Sequence, residues 1–233
     1  MKHAVFGLIA VLALGGCASP YVATPYDRAS AGVTGVALVE DSLPEKAIAY
    51  EVASVGSNFG LIGALVDAGI QAERQDAVNN ALRSIQFDAE GELETHLISA
   101  LSADGYRVVP LPGEARKKRD WLTTYPQAPG GTDAYLDVAV LQYGYRSSGA
   151  GQPFRPMVMA KVKLVSVANG STLMENQIVY NPLNVGQGII TIPPNPEYSF
   201  ENRSALLADS TRLAAGIEDA LNQVADTAAQ LLR

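Results

Sequence analysis

Three consecutive stretches between residues 134 and 180 repeat with a period of two: AYLDVAVLQYGYR (134–146), FRPMVMAKVKLVSV (154–167) and TLMENQIVY (172–180). A β-strand turns successive side chains to opposite faces, so this period predicts three strands, each with one buried face. In the second, Val158, Ala160, Val162 and Leu164 oppose Lys161 and Lys163; in the third, Met174, Ile178 and Tyr180 oppose Glu175 and Gln177. One apolar and one mixed face is the pattern of an antiparallel sheet covered on one side. Asn169-Gly170 between the last two strands is a strong hairpin signal. In the first strand, Leu136, Val138 and Val140 share one parity and Tyr135, Asp137 and Ala139 the other. Continuing the count puts Tyr135, Tyr143 and Tyr145 on one face, either packed beneath a helix or presented as a binding surface.

The rest of the chain supplies layers for this sheet. GVTGVALVE (32–40) is a β-branched run that predicts a first strand, ended by a turn at DSLPE with Pro44. From Phe59 to about Ile85 the pattern is helical, beginning with a ridge of small residues at Gly56, Gly60, Ala64, Ala68 and Ala72. Its apolar stretch ends by Ile70, about 18 Å of helix, too short for a bilayer core of roughly 30 Å. The ridge therefore predicts close helix packing, against the last helix with its small Ala214, Ala215 and Gly216 or against the same ridge of a second copy. A second helix over about 87–103 carries Leu93, Leu97, Ile98 and Leu101 on one face, with Asp88 as N-cap and Gly105 as terminator. YRVVPL (106–111) predicts a strand parallel to the first. Residues 112–133 and 181–202 read as Pro/Gly-rich loops, the second long enough to expect a function of it. A helix over about 204–232 closes the chain. The expected fold is a single α+β domain over 33–233, β-α-α-β-β-β-α, with a mixed sheet of about five strands and helices mainly on one face.

The first 32 residues are of another kind. Lys2 precedes the uncharged run AVFGLIAVLALGG, too short to span a bilayer but suited to a signal peptide over 1–16. The run ends in Leu14-Gly15-Gly16-Cys17, and Cys17 is the sole cysteine. This resembles the lipobox of bacterial lipoproteins, whose cysteine is acylated on its thiol and becomes the first residue of the mature chain. Several acyl chains on one residue would anchor stably, because each buried methylene contributes about 0.8 kcal/mol. In that family Asp after the cysteine retains the protein in the inner membrane, so Ala18 implies the outer membrane, facing the periplasm. Residues 17–32, with Pro20 and Pro25, read as the lipidated cysteine and its tether, reaching about 50 Å if extended.

Composition narrows the chemistry. A net charge of −7 disfavours nucleic acid as a partner. One cysteine leaves no disulfide framework and no cysteine-pair zinc site. His96 is the sole histidine after Cys17, so no HExxH metal site can form; nothing in the sequence points to a serine-based triad, and no metal or cofactor is expected. Its helical neighbour Glu92 makes a solvated i, i+4 pair the plain expectation. Asp88, Glu90, Glu92 and Glu94 have the look of paired carboxylates for glycoside hydrolysis, but acids at a helix start follow from the helix dipole. The concentrated basic patch Arg116, Lys117, Lys118 and Arg119, beside Trp121 and Tyr125, is the candidate partner-binding surface.

The β-α-β-β-β-α order behind a lipobox and short tether is similar in pattern to the curli secretion lipoprotein, the lipoprotein activators of penicillin-binding proteins and the N-terminal domain of the Tol-Pal propeller protein. FGLIGALVDAG, GYRVVPL and LQYGY resemble uncharacterised proteobacterial envelope lipoproteins. These resemblances imply a non-catalytic outer-membrane lipoprotein, a binding or scaffolding module in envelope assembly or transport, partnered by another envelope protein or by itself. The alternatives are a self-assembling ring or pore and a hydrolase of an envelope polymer.

Overall fold

The computed structural model describes residues 21–52, 73–112, 116, 118–183 and 185–233. Cys17, the ridge at Gly56, Gly60, Ala64, Ala68 and Ala72, and Lys117 lie outside the described residues. Within them the chain forms α1 (Arg28–Ala31), β1 (Gly35–Val39), β2 (Ile48–Glu51), α2 (73–84), α3 (Ala89–Ala103), β3 (Arg107–Leu111), β4 (Ala134–Ser147), β5 (Phe154–Ser166), β6 (Thr172–Tyr180), β7 (Ile190–Ile192), a 3₁₀ turn (Pro196–Tyr198), α4 (Arg203–Ala208) and α5 (Ser210–Gln230). The α+β class and single mixed sheet stand. The sheet has seven strands rather than about five, in the order β3-β1-β4-β5-β6-β7 with β2 also on β4.

β4 is the spine. Its start pairs in parallel with β1, through Val36↔Ala134 to Val39↔Asp137, and its end pairs in parallel with β2, through Ile48↔Gly144 to Glu51↔Ser147. Both short strands share one edge of a strand 14 residues long. β2 can lie there because Gly144 has no side chain: a Cβ would stand 2.2 Å from the Ile48 carbonyl oxygen, and φ is +131°. β2 and β7, four and three residues long, are too short to declare a period in the sequence. β5 and β6 follow as antiparallel neighbours, turned at Gly170 with φ +70°. The edges are blunted: β3 carries exposed Arg107 and Pro110, and β7 is short.

A bulge between Val140 and Gln142 changes the expected faces. One extra residue in β4 reverses the alternation beyond it. Tyr135 therefore joins a small apolar cluster with Ala37, Val39, Leu111 and Val165, whereas Tyr143 and Tyr145 join the main core with Leu136, Val138 and Val140. The three tyrosines do not share a face.

The main core lies between the sheet and the α3/α5 layer. Leu93, Leu97 and Leu101 of α3, at i, i+4, i+8, meet Leu213, Ile217, Leu221 and Val224 of α5, all fully buried. The expected terminal helix is two, because Asp209 leaves helical geometry and its carboxylate accepts from Arg212 N at 3.0 Å, capping α5. In α5, Gly216 receives aromatic groups: an added Cβ would meet Tyr145 Oη at 2.0 Å and Tyr198 Cβ at 2.8 Å.

Residues 21–32 are docked on the domain. Thr24 exchanges two backbone hydrogen bonds with Glu175 at the β6 edge (2.8 and 3.0 Å), and the Tyr21 carbonyl lies against Gly188. Arg28 sits 4.6 Å over the Tyr106 ring and donates to the Asp104 carbonyl. The reach of fifteen free residues is not available to such a tether.

Gly216→Ala should destabilise the domain by about 1–3 kcal/mol, the cost of overpacking, against the gain of about 1 kcal/mol that Ala brings to an exposed helix. The urea midpoint should fall with no change in slope; an unchanged or raised midpoint would show that Tyr145 and Tyr198 can yield.

Candidate functional site

The basic patch is not one surface. Arg116 runs under the loop: its side chain is 1% exposed and its Nη1 lies 2.8 Å from Asp137 Oδ1, itself 0% exposed. The contact is an ion pair rather than a directed hydrogen bond, since Nη1 donates to the Asp120 carbonyl at 3.0 Å. Asp137 Oδ2 accepts from Leu122 N (2.8 Å) and Tyr125 Oη (3.0 Å). Arg119 pairs with Asp41 at 3.0 Å, and Lys118 is exposed. Trp121 is half-buried with Lys163 and Lys161 over its ring at 4.1 and 4.7 Å, and Tyr125 stacks on Tyr135 with centroids 4.7 Å apart. Burial, then the Asp137 charge, pushes the Tyr125 hydroxyl far above its ordinary value. The loop thus roofs the sheet face opposite the helices, and Arg116 and Tyr125 are fasteners of that roof.

The second candidate cluster, on α3, is divided by its contacts. His96 Nε2 meets Asp226 Oδ1 of α5 at 2.8 Å, so it ties two helices together rather than pairing with Glu92. Asp88 caps α3 through Gly91 N. Glu90 accepts from Ser42 N (2.6 Å) and Leu43 N (2.7 Å), stapling the segment after β1 to α3. Burial first, then the Glu90 charge, raises the Glu94 carboxyl to about 7. Neither described cavity is lined by His96 or by any of these acids. Among the described residues no three His, Cys, Asp or Glu side chains gather as metal ligands.

A cavity of about 290 Å³ lies where β4 and β6 end and β5 begins. Its polar lining is Arg146, Arg155, Ser148, Gln152 and Asn181; its apolar lining is Pro153, Pro182, Pro193, Pro194 and Leu183. Arg146 and Arg155 are direct cross-strand partners in the β4–β5 register. Arg146 is 7% exposed and donates to the Asn181 carbonyl. Asn181 is itself fixed in the left-handed region, φ +60°, by bonds from its N to the Ile192 carbonyl (2.8 Å) and from its Nδ2 to the Pro156 carbonyl (3.0 Å). A left-handed non-glycine at the rim is a conformation that needs such support. No carboxylate of a described residue pairs with either arginine. The long loop after β6 supplies one wall, and the turn SSGAGQP fixes the arginine register: counting outward from it pairs Ser147 with Phe154, then Arg146 with Arg155.

Arg116→Met should cost about 3–5 kcal/mol in chemical unfolding, because it leaves Asp137 buried without its cation. Arg116→Met with Asp137→Asn, whose amide oxygen can still accept from Leu122 N and Tyr125 Oη, should recover much of that loss, and equal losses in the two variants would contradict it. For Glu94 the sign is fixed by the raised value. The folded protein holds this proton more tightly, so the associated stability is full below the ordinary glutamate value of 4.5 and is lost as pH rises through about 7. Glu94→Gln should therefore gain stability over the unaltered chain progressively from pH 4.5 to 8 in urea titrations; a constant difference would refute the shift.

No family model and no curated protein matches the chain. Among solved structures, protein XCC0632 from Xanthomonas campestris, of the DUF330 family, overlaps with a TM-score of 0.32 at 17% identity over 58% of this chain. The overlap takes in 55% of that protein, so the chain spans about half its length. The PelC dodecamer from Paraburkholderia phytofirmans overlaps with a TM-score of 0.30 at 15% identity, over 86% of this chain and 94% of that one. Overlap at this level establishes no shared fold or role, and what the chain does has to be argued from its own residues.

Proposed function

We propose that this chain is a non-catalytic, lipid-anchored outer-membrane lipoprotein that faces the periplasm and serves as a binding or scaffolding module in envelope assembly or transport. The anchor is Cys17, read from the sequence. Among the described residues no helix is long and apolar enough to cross a membrane. The observation that carries binding over catalysis is the make-up of the terminal cavity. Its polar lining is rich in donors, two guanidiniums and two amides with one hydroxyl, and no carboxylate, imidazole or thiol stands among the described lining residues. General acid–base work needs a group that can take and return a proton near neutral pH, and a Ser148 nucleophile would need such a base beside it. Donors fixed on strand ends recognise a ligand without transforming it.

Two measurements in cells test this reading. Cys17→Ser should abolish acyl labelling and release the protein from the membrane fraction; retention with label would overturn the anchor. A photo-crosslinker at Leu183, 38% exposed at the cavity lip, should yield a discrete adduct that a crosslinker at exposed Arg83 on α2 does not. Identical patterns from both positions would overturn the cavity as the binding surface.

A further inference from the structure

We infer that the terminal cavity is an anion site for a phosphate monoester carried on a compact organic body, with Arg146 and Arg155 as its paired cations. The inference rests on the binding-module reading and names what that site would take.

The first argument is electrostatic. Side chains directly opposite in an antiparallel pair stand about 4.5–5.5 Å apart at Cβ, and like charges there repel. Arg146 and Arg155 occupy such a pair, and Arg146 is nearly fully buried. A buried guanidinium costs several kcal/mol unless an opposite charge and hydrogen bonds satisfy it. One bond to the Asn181 carbonyl uses one of its five donors. Other shielded cations of this chain meet a carboxylate, Arg116 with Asp137, Arg119 with Asp41, Arg74 with Glu51 and Lys163 with Glu175, whereas Arg28 and Arg212 rest on backbone carbonyls and aromatic rings. The nearby acids Glu51 and Glu201 line a separate cavity of about 160 Å³ that shares Gln152 with this one. The terminal cavity is where two cations are brought together and left without a carboxylate.

The second argument is charge count. A phosphate monoester carries about −1.5 to −2 near pH 7 and three acceptor oxygens, matching two guanidiniums. A carboxylate would leave one cation unanswered. Arginine forks suit phosphate geometry, and Ser148 and Gln152 supply further donors in the same lining.

The third argument is shape. A volume of about 290 Å³ is at the small end of ligand cavities. Four prolines and Leu183 supply stiff apolar lining beside the arginines, which an organic body can lie against and a free ion cannot use.

The test is titration calorimetry on the purified full chain in uncharged detergent, with glucose 6-phosphate, inorganic phosphate, glucuronate and glucose as probes. Saturable binding of glucose 6-phosphate, tighter than phosphate or glucuronate and absent for glucose, is expected. Arg155→Gln, at an exposed position that folding does not depend on, should weaken it about tenfold or more, and Arg83→Gln should not. Glucuronate binding as tightly as glucose 6-phosphate would overturn the choice of phosphate. Equal affinity for inorganic phosphate would overturn the organic body. No saturable anion binding, or none of it lost in Arg155→Gln, would overturn the site. Such a failure with a Leu183-specific adduct intact would leave the module reading standing.

Discussion

One inserted residue in β4 governs what this sheet presents. Before the bulge between Val140 and Gln142, even-numbered side chains face the helices; after it, odd-numbered ones do. The reversal sends Tyr143 and Tyr145 into the core and lets Tyr145 reach the groove at Gly216. It also turns Arg146 away from the helices, to the side where Arg155 stands. Without the insertion, Arg146 would point into a layer of leucine and alanine, where a charge cannot be kept. The core aromatic and the cavity cation are two consequences of the same backbone irregularity.

The opposite face depends on a different bargain. Asp137 sits between Leu136 and Val138 in the buried first half of β4, a place no isolated carboxylate tolerates. It is kept there by Arg116, Leu122 N and Tyr125 Oη, all from the loop that covers it. The loop is rich in proline and charge and has no apolar period of its own, so the polar knot rather than a hydrophobic stripe holds it. A sheet covered by helices on one side and by a pinned loop on the other needs no second helix layer.

Much of the fold was legible because it depends on periods. β6 was expected over the residues it occupies, and β5 and α3 to within a residue or two, since each carries a sustained period; β3 was found as an apolar run straight after Gly105. What was not legible depends on single residues or on pairs distant in sequence. One extra residue in LQYGY leaves no mark in composition, so the tyrosines were assigned to one face. Arg116 and Asp137 are 21 positions apart, and both types ordinarily read as surface, so a buried pair looked like half of a basic patch. Asp209 reads as a polar position on a long helix until its carboxylate is seen to cap a new one. The arginine pair depends on the β4–β5 register at its turn end, where Pro153 and Pro156 lead the sequence to suggest a late or frayed strand start.

The docked segment opens the described residues, with its N-terminal end toward the cavity. Thr24 pairs antiparallel with Glu175, so the chain traced backward from it runs in the direction of β6 and brings Tyr21 to Gly188, just ahead of β7. The apolar ring of Tyr21 is held there with its hydroxyl pushed up to about 12 by burial first and the Glu175 charge second. β6 continues only from Ile178 to Tyr180 before Asn181 enters the cavity wall, about 10 Å of strand. Tyr21 lies four positions after Cys17, at most about 14 Å of chain. A lipid on Cys17 would therefore hold the cavity within a few tens of ångströms of the bilayer, on a short leash instead of a long one. On the anchoring proposed above, a site so placed would sample ligands at or near the membrane surface, and the docking of residues 21–32, which carry no strong helix or strand signal, would set that placement.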